Sequence, residues 1–365
     1  MKSKLILIGG FLGAGKTTLL RKMAELLAEK GKKVGLITND QASELVDTEI
    51  LSKSGGLLSE VSGSCFCCNF QGFLDAVVSM QQSGMADYII AEPVGSCTDL
   101  SATIMQPLKD IYRNELEICP LNVLVDPVRL KSILDDKASG MHKSAAYIVQ
   151  KQLEEADYIV INKIDLMQEA ELSSLLERAA RKWTQAKIYA ISAQNGDHIE
   201  QWMSEVLNSK AAGTHIVQID YDIYAEGEAV LGWLNASISL KSRKTDWDYF
   251  AKRLLYRLKR QFEKRGAAVG HVKLIIKDQE KYIVGNITGT SREISLRGSV
   301  AACHTVEMTL NARVELPPDK LNKIILRELH AICRNRIKYR IKVLNSLQPG
   351  RPKPTHRYQE VVHAS

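Results

Sequence analysis

The segment Gly10-Phe-Leu-Gly13-Ala-Gly15-Lys16-Thr17 follows an apolar run at residues 5–8 and opens a stretch of helical period. Few folds accommodate so glycine-rich a link between strand and helix. The glycines let backbone N–H groups converge without Cβ clashes, and the helix N-terminus adds a favourable dipole, so the turn is suited to phosphate. The spacing G-x-x-x-x-G-K-[ST] assigns Lys16 to the β- and γ-phosphates and Thr17 to Mg²⁺, with Gly13, Ala14, Gly15 and Thr18 completing the loop.

The rest of residues 1–210 extends that pattern. Strand-length apolar runs at residues 34–38, 88–91, 123–125, 158–161 and 188–191 are separated by helical segments at 17–30, 73–82, 143–155 and 170–181. Nearly continuous apolar strands alternating with helices predict an α/β fold, a P-loop NTPase with a mostly parallel sheet covered on both faces. Polar residues at the carboxyl ends of the strands should then form the site.

From residue 211 the pattern changes. Strands are expected at 232–240, 271–276, 282–287, 305–316 and 339–345, with helices at 246–265 and 318–333. This order, β-α-β-β-(β)-α-β, predicts a smaller ferredoxin-like α+β domain. The domains are set at 1–210 and 211–346, followed by an extended or mobile tail at 347–365. Charge divides at the same point, −5 before residue 211 and +12 after it.

Composition excludes other classes. With 45% hydrophobic and 25% charged residues, the 365-residue chain can bury a core and is not of disordered type. No apolar run approaches the roughly 20 residues of a membrane span, and Lys16 and the glycines interrupt anything like a secretory leader. A soluble cytoplasmic protein without membrane insertion is expected.

Two strand ends carry the base and the switch. Asn162-Lys163-Ile164-Asp165 follows the run at 158–161, and Ser192-Ala193 follows the run at 188–191. A carboxylate at Asp165 can accept from both N1–H and N2–H₂ of guanine, a pair adenine lacks. Lys163 would lie along the base, and a backbone N–H at Ser192-Ala193 would meet O6. Placed after a P-loop, this selects GTP over ATP. Asp40 follows the second strand and is assigned to the attacking water or the Mg²⁺ shell. Glu92, with the Gly95 amide, is assigned to sensing the γ-phosphate. The catalytic set is therefore Lys16, Asp40 and Glu92; Asp126, in an Asp-Pro turn, is a weaker candidate.

Seven cysteines are present, and Cys65, Cys67 and Cys68 crowd one loop between strands. Such clustering fits reduced thiols on a metal rather than disulfides. Three sulfurs leave a four-coordinate soft cation open for transfer, and Cys97 is a candidate fourth ligand. Zn²⁺ is the expected ion, with Ni²⁺ and Co²⁺ as alternatives. Cys119, Cys303 and Cys333 lie on apolar patterns and are expected in the core.

A P-loop, Cys-x-Cys-Cys, Glu-x-x-Gly and Asn-Lys-x-Asp in this order resemble the CobW-type metallochaperone GTPases, relatives of the urease, hydrogenase and methylmalonyl-CoA mutase accessory GTPases. The resemblance covers about residues 1–210. It implies slow GTP hydrolysis, metal at Cys65, Cys67 and Cys68, a nucleotide-responsive Glu92, and nucleotide-dependent homodimerisation or docking to a client metalloprotein. The chain departs from the family at Asn39-Asp40-Gln41-Ala42, where Asn-Glu-Phe-Gly is usual, and at Glu92-Pro-Val-Gly95, where Glu-Thr-Thr-Gly is usual. Cys97 takes the place of an alanine, and a histidine-rich stretch is missing.

Residues 241–265 hold ten Lys/Arg against three acids, and Arg334, Arg336, Lys338, Arg340 and Lys342 alternate along a later stretch. Without interleaved aromatics this reads as a solvated or protein-docking face rather than a nucleic-acid surface. Three readings result: a GTP-driven metallochaperone, a GTPase gating a corrinoid enzyme or protein without carrying metal, and a nucleotide-bound scaffold or RNA-binding protein.

Overall fold

The structure is a computed structural model that describes residues 2–40, 57–62, 65–82, 86–136, 141–243, 245–279, 281–289, 294–300, 302–334 and 336–363. For Asp40 and Ser62 only the backbone is described, so the role expected of the Asp40 side chain lies outside the described residues.

The first sheet is entirely parallel. Its strands are β1 (Ser3–Gly9), β2 (Val34–Asp40), β3 (Leu57–Ser62), β4 (Tyr88–Glu92), β5 (Leu116–Ile118), β6 (Asn122–Val125), β7 (Tyr158–Ile161) and β8 (Lys187–Ala190). They lie in the order β3-β2-β4-β1-β6-β7-β8, and β5 pairs with the outset of β1. Successive residues of β1 enter opposite cores: Leu5 and Leu7 join one cluster, Ile6 and Ile8 the other. Burial on both faces is what a parallel sheet wrapped by helices requires. The chain leaves β1 toward β2 on one side and later fills β6 on the other. The P-loop, at the carboxyl end of β1, therefore sits where strand order reverses and a crevice opens.

The covering helices are α1 (Lys16–Glu29), α2 (Phe70–Gln82), α3 (Gln106–Ile111), α4 (Pro127–Leu134), α5 (Lys143–Glu155), α6 (Glu169–Lys182) and α7 (Ile199–Asn208). Two strands of this first sheet escaped the sequence reading, as did β12 (Ser295–Gly298) in the second. The strand β3 carries a polar alternation, and β5 is only three residues long.

After α8 (Tyr221–Ala229) the second sheet begins. It comprises β9 (Gly232–Lys241), β10 (Val269–Lys277), β11 (Tyr282–Thr288), β12 (Ser295–Gly298), β13 (Thr305–Val314) and β14 (Lys338–Leu347), with α9 (Trp247–Glu263) and α10 (Pro318–Cys333) between. The order β12-β11-β10-β13-β9-β14 is antiparallel throughout. Its β14-β9-β13-β10 portion has the ferredoxin-like arrangement, extended by β11 and β12. One face, with Leu234, Val272, Leu274, Ile276 and Leu310, packs with Leu254 and Leu258 of α9 and Ile325 and Leu329 of α10 into a closed core.

Residues 348–363 form neither helix nor strand, yet they are held against the first sheet's helices and loops. Thr355 N–H donates to Cys67 O at 2.8 Å, Tyr358 N–H to Ala102 O at 3.0 Å and Val362 N–H to Gln106 Oε1 at 2.8 Å. Arg357 Nε donates to buried Asp99 at 2.7 Å. Cys119 and Cys333 are buried as expected, whereas Cys303 is only half-buried, because it lies in the connection before β13. Among the described residues no helix is long and apolar enough to cross a membrane.

Candidate functional site

A cavity of about 1330 Å³ opens at the P-loop. Gly13 and Gly15 have φ of 82° and 98°, the left-handed region that glycine adopts without strain. A Cβ at Gly15 would stand 2.3 Å from Asn162 Nδ2, so the loop and the Asn-Lys-x-Asp turn fit only with glycine there. Asn162 joins three segments. It donates from Nδ2 to Ala14 O at 2.8 Å and accepts at Oδ1 from Ala193 N–H at 2.9 Å.

The base end is similarly tied. Lys163, at φ 69°, pairs through Nζ with Asp126 Oδ2 at 2.6 Å. Asp126 also caps α4, accepting from Val128 N–H at 2.9 Å, so the turn role and the charged role coexist in one residue. Ser192 Oγ donates to Asp165 Oδ1 at 2.5 Å. At the phosphate end, Lys16 Nζ donates to Gly10 O at 2.8 Å and lies 3.6 Å from Glu92 Oε1, while Thr17 Oγ1 donates to Glu92 Oε2 at 3.2 Å. A Cβ at Gly95 would come within 3.1 Å of Lys16 Nζ. Arg129 supports the loop from below, with Nη1 donating to Leu12 O at 2.9 Å and its guanidinium 4.7 Å from the Phe11 ring. Complete burial lowers its pKa to about 10.

The sulfurs form a second, closed site. Cys65 and Cys67 Sγ are 3.0 Å apart, Cys67 and Cys68 Sγ 3.9 Å, and all three lie within 4.8 Å of one another. Cys97, fully buried, stands beside Cys65 and Cys67 without joining that compact trio. Thiol hydrogen bonds from Cys67, Cys68 and Cys97 hold the Cys65 pKa far down. The resulting anion and burial push Cys67 and Cys97 well up, and its thiol contact takes Cys68 to about 11. One negative charge is thus easily held and a second is resisted. A divalent cation supplies the compensation that lets several thiolates coexist, so the donor set fits a soft or borderline metal. Lys353 N–H donates to Cys68 Sγ at 3.2 Å, adding a contact from the tail.

Two bridges join cavity and sulfurs. Asn39, which lines the cavity at the end of β2, donates to Val61 O at 2.7 Å and accepts from the N–H of Phe66, between the cysteines, at 2.9 Å. The other bridge is covalent, running from Glu92 through Gly95 to Cys97. Gln152 Nε2 clamps it, donating to Gly95 O at 3.1 Å and Cys97 O at 2.7 Å. Two buried carboxyls flank this run. Glu228 accepts from Ser96 Oγ at 2.6 Å, and Glu155 accepts from Thr98 Oγ1 at 2.9 Å and Ser101 N–H at 3.0 Å. Burial raises both pKa values to about 8. Asn39, Gln152, Glu155 and Glu228 were not singled out from sequence. Each is an ordinary helix or strand residue until the distant segment it touches is known.

Residues 4–190 match the family described as CobW/HypB/UreG, nucleotide-binding domain. The chain belongs to that family. Among curated relatives of the CobW/HypB/UreG type, the zinc chaperone YeiR of Escherichia coli is 30% identical over 188 residues, covering 49% of this chain and 50% of YeiR. The zinc chaperone CobW of Sinorhizobium is 28% identical over 216 residues, covering 52% of this chain and 58% of CobW. The chain spans about half the length of the curated relatives it matches. Among solved structures, zinc-bound YjiA GTPase of E. coli aligns over 90% of this chain and 99% of that one, with 18% identity and a TM-score of 0.40.

Proposed function

We propose that this CobW/HypB/UreG-family protein binds and hydrolyses GTP, and that the nucleotide state governs binding and hand-over of a transition metal to a client metalloprotein. Zinc is the first choice, ahead of nickel and cobalt. The observation that carries this reading is the pair of bridges from the nucleotide cavity to the sulfurs, Asn39 to Phe66 and Glu92 to Cys97. The relatives YeiR and CobW, both zinc chaperones, support the choice of ion.

In this reading Lys16 and the amides of Gly13, Ala14, Gly15 and Thr18 hold the phosphates. Asn162, Lys163 and Asp165, with Ser192 and Ala193, hold guanine. Thr17 would hold Mg²⁺, which neutralises charge between the β- and γ-phosphates. Asp40 retains its sequence-based assignment to the metal shell or the attacking water. Glu92 exchanges its Thr17 and Lys16 contacts when the γ-phosphate arrives, and the shift passes through the Gly95 amide to Cys97. The cargo ion is bound by Cys65, Cys67 and Cys68, with Cys97 next to them. Repositioning any one sulfur alters affinity, because thiolate–zinc distances near 2.3 Å tolerate little change.

The test is a competitive zinc titration with GTP, GDP or no nucleotide on wild type, Lys16→Ala and the triple variant Cys65→Ala/Cys67→Ala/Cys68→Ala. Wild type should show at least a tenfold difference in zinc affinity between GTP and GDP. Lys16→Ala should bind zinc with no nucleotide dependence, and the triple variant should lose at least a hundredfold. A triple variant with unchanged affinity, or a wild type blind to nucleotide, would refute the reading.

A further inference from the structure

The second sheet has two unlike faces. The face toward α9 and α10 is apolar, whereas the opposite face forms a wall of the P-loop cavity. Strand register sets a polar row across it: Lys273 of β10 is paired with Asn286 of β11 and with Asn311 of β13, which in turn is paired with Asn235 of β9. Asn235 and Asn311 are buried. A sheet face that only shields a core gains nothing from such a row, because buried amides and ammonium groups lose hydration unless polar partners replace it.

Lys273 points at the phosphate end. Its Nζ donates to Thr17 Oγ1 at 3.4 Å, so it stands beside the motif's own lysine and threonine. The approach is close along the whole edge. A Cβ at Gly13 would meet Thr288 Cγ2 at 3.1 Å, and one at Gly270 would meet Leu12 Cδ1 at 3.0 Å. The P-loop and β10–β11 are thus in van der Waals contact. Arg297 of β12 lies at the other end of the cavity, where Arg21 and Asp165 are the charges that bear on it. The wall therefore offers one cation near the phosphate lysine and another near the guanine carboxylate.

We infer that Lys273 is a nucleotide-binding residue, contacting the terminal phosphate oxygens of a bound nucleoside triphosphate from the second sheet. The polar wall thereby makes the C-terminal unit part of the GTP site. This rests on the function proposed above. A second cation on the terminal phosphate favours triphosphate over diphosphate, because the additional charge resides there.

The experiment measures equilibrium binding of GMPPNP and GDP to full-length wild type, Lys273→Ala, Lys273→Arg and Lys16→Ala. Lys273→Ala should weaken GMPPNP at least tenfold and GDP less than threefold, and Lys273→Arg should recover GMPPNP binding to within threefold of wild type. In wild type, GMPPNP should also slow amide exchange in β10 and β11, a readout that needs no variant. If Lys273→Ala binds GMPPNP like wild type, or if exchange in β10 and β11 ignores the analogue, while Lys16→Ala loses binding, the inference fails and the GTP site stands. If wild type itself binds neither guanine nucleotide, the proposed function fails first.

Discussion

The nucleotide end and the sulfur end of this molecule are built on opposite plans. The first is a wide cavity whose P-loop end is shaped by backbone, with left-handed glycines in one continuous motif. The second is more enclosed, with Cys65, Cys67 and Cys97 buried and the sulfurs supplied by two separate stretches of chain. Backbone geometry imposed by local residue type binds a ligand common to many proteins. Side-chain geometry imposed by tertiary packing can be retuned by small movements, which suits the hold-and-release role proposed for the sulfurs. Four substitutions separate the two plans.

The largest effect belongs to Gly10→Ala, at the root of the backbone-built end. Its φ is 125°, and a Cβ would stand 2.2 Å from Leu124 O, a backbone atom of the neighbouring strand. Strain and clash together should destabilise the fold by more than about 4 kcal/mol, at the severe end for single substitutions. Urea unfolding measures this, and a loss below about 1 kcal/mol would contradict the tight approach.

Next comes Glu155→Gln, beside the run leading to Cys97. The Glu155 pKa is raised to about 8 from 4.5, so the folded state holds the proton more tightly than the unfolded state. Its stabilisation is complete below pH 4.5 and is lost as pH rises toward and through 8. Glutamine keeps the shape without the charge, with its amide turned to the Thr98 hydroxyl. Wild type should lose about 4 kcal/mol more than the variant between pH 5 and pH 8.5, at about 1.4 kcal/mol per pKa unit. Parallel pH–stability curves for the two proteins would show that this carboxyl ionises freely.

Asn39→Ala should cost about 2 kcal/mol, because it leaves the Phe66 N–H without its acceptor and Val61 O without its donor. Zinc affinities measured with GTP and with GDP should converge in this variant. If they stay apart, coupling runs through Gly95 and Cys97 alone. The smallest effect is expected for Thr355→Pro, which removes the N–H donated to Cys67 O and should cost about 1 kcal/mol. Alkylation of Cys68 by iodoacetamide should quicken severalfold, and an unchanged rate would mean the tail does not limit access.

The same contrast explains what could be read before the fold was known. The Gly10–Thr17 motif and the strand–helix alternation are local patterns, and the parallel sheet matches the expectation from its near-continuous apolar runs. The ferredoxin-like order also follows from local periodicity, since Val272, Leu274 and Ile276 share one face of their strand while His271, Lys273 and Lys277 fall on the other. What escaped was long-range. Asn39 was only the matching first residue of a tetrapeptide that otherwise departs from the family pattern, and only the approach of Phe66 makes it a bridge. Lys273 was one more basic residue in a basic region until the second sheet was seen facing Thr17. Polar residues on the wall side of β10 and β13 alternate as a solvent-facing row would, so period alone could not tell water from a nucleotide cavity. Edge strands failed for a related reason: β3 is polar enough to pass for loop, and three residues at β5 carry no period.

Residues 351–358 return from the last strand of the second sheet to lie across Cys67, Asp99 and Ala102. Splitting the chain near residue 210 would therefore strip the first half of a covering it does not encode. Asp99 would lose the Arg357 guanidinium that faces it, and Phe70 would lose the His356 ring 4.9 Å away. An isolated N-terminal fragment would be an altered molecule, and metal constants measured on it would describe a bared site.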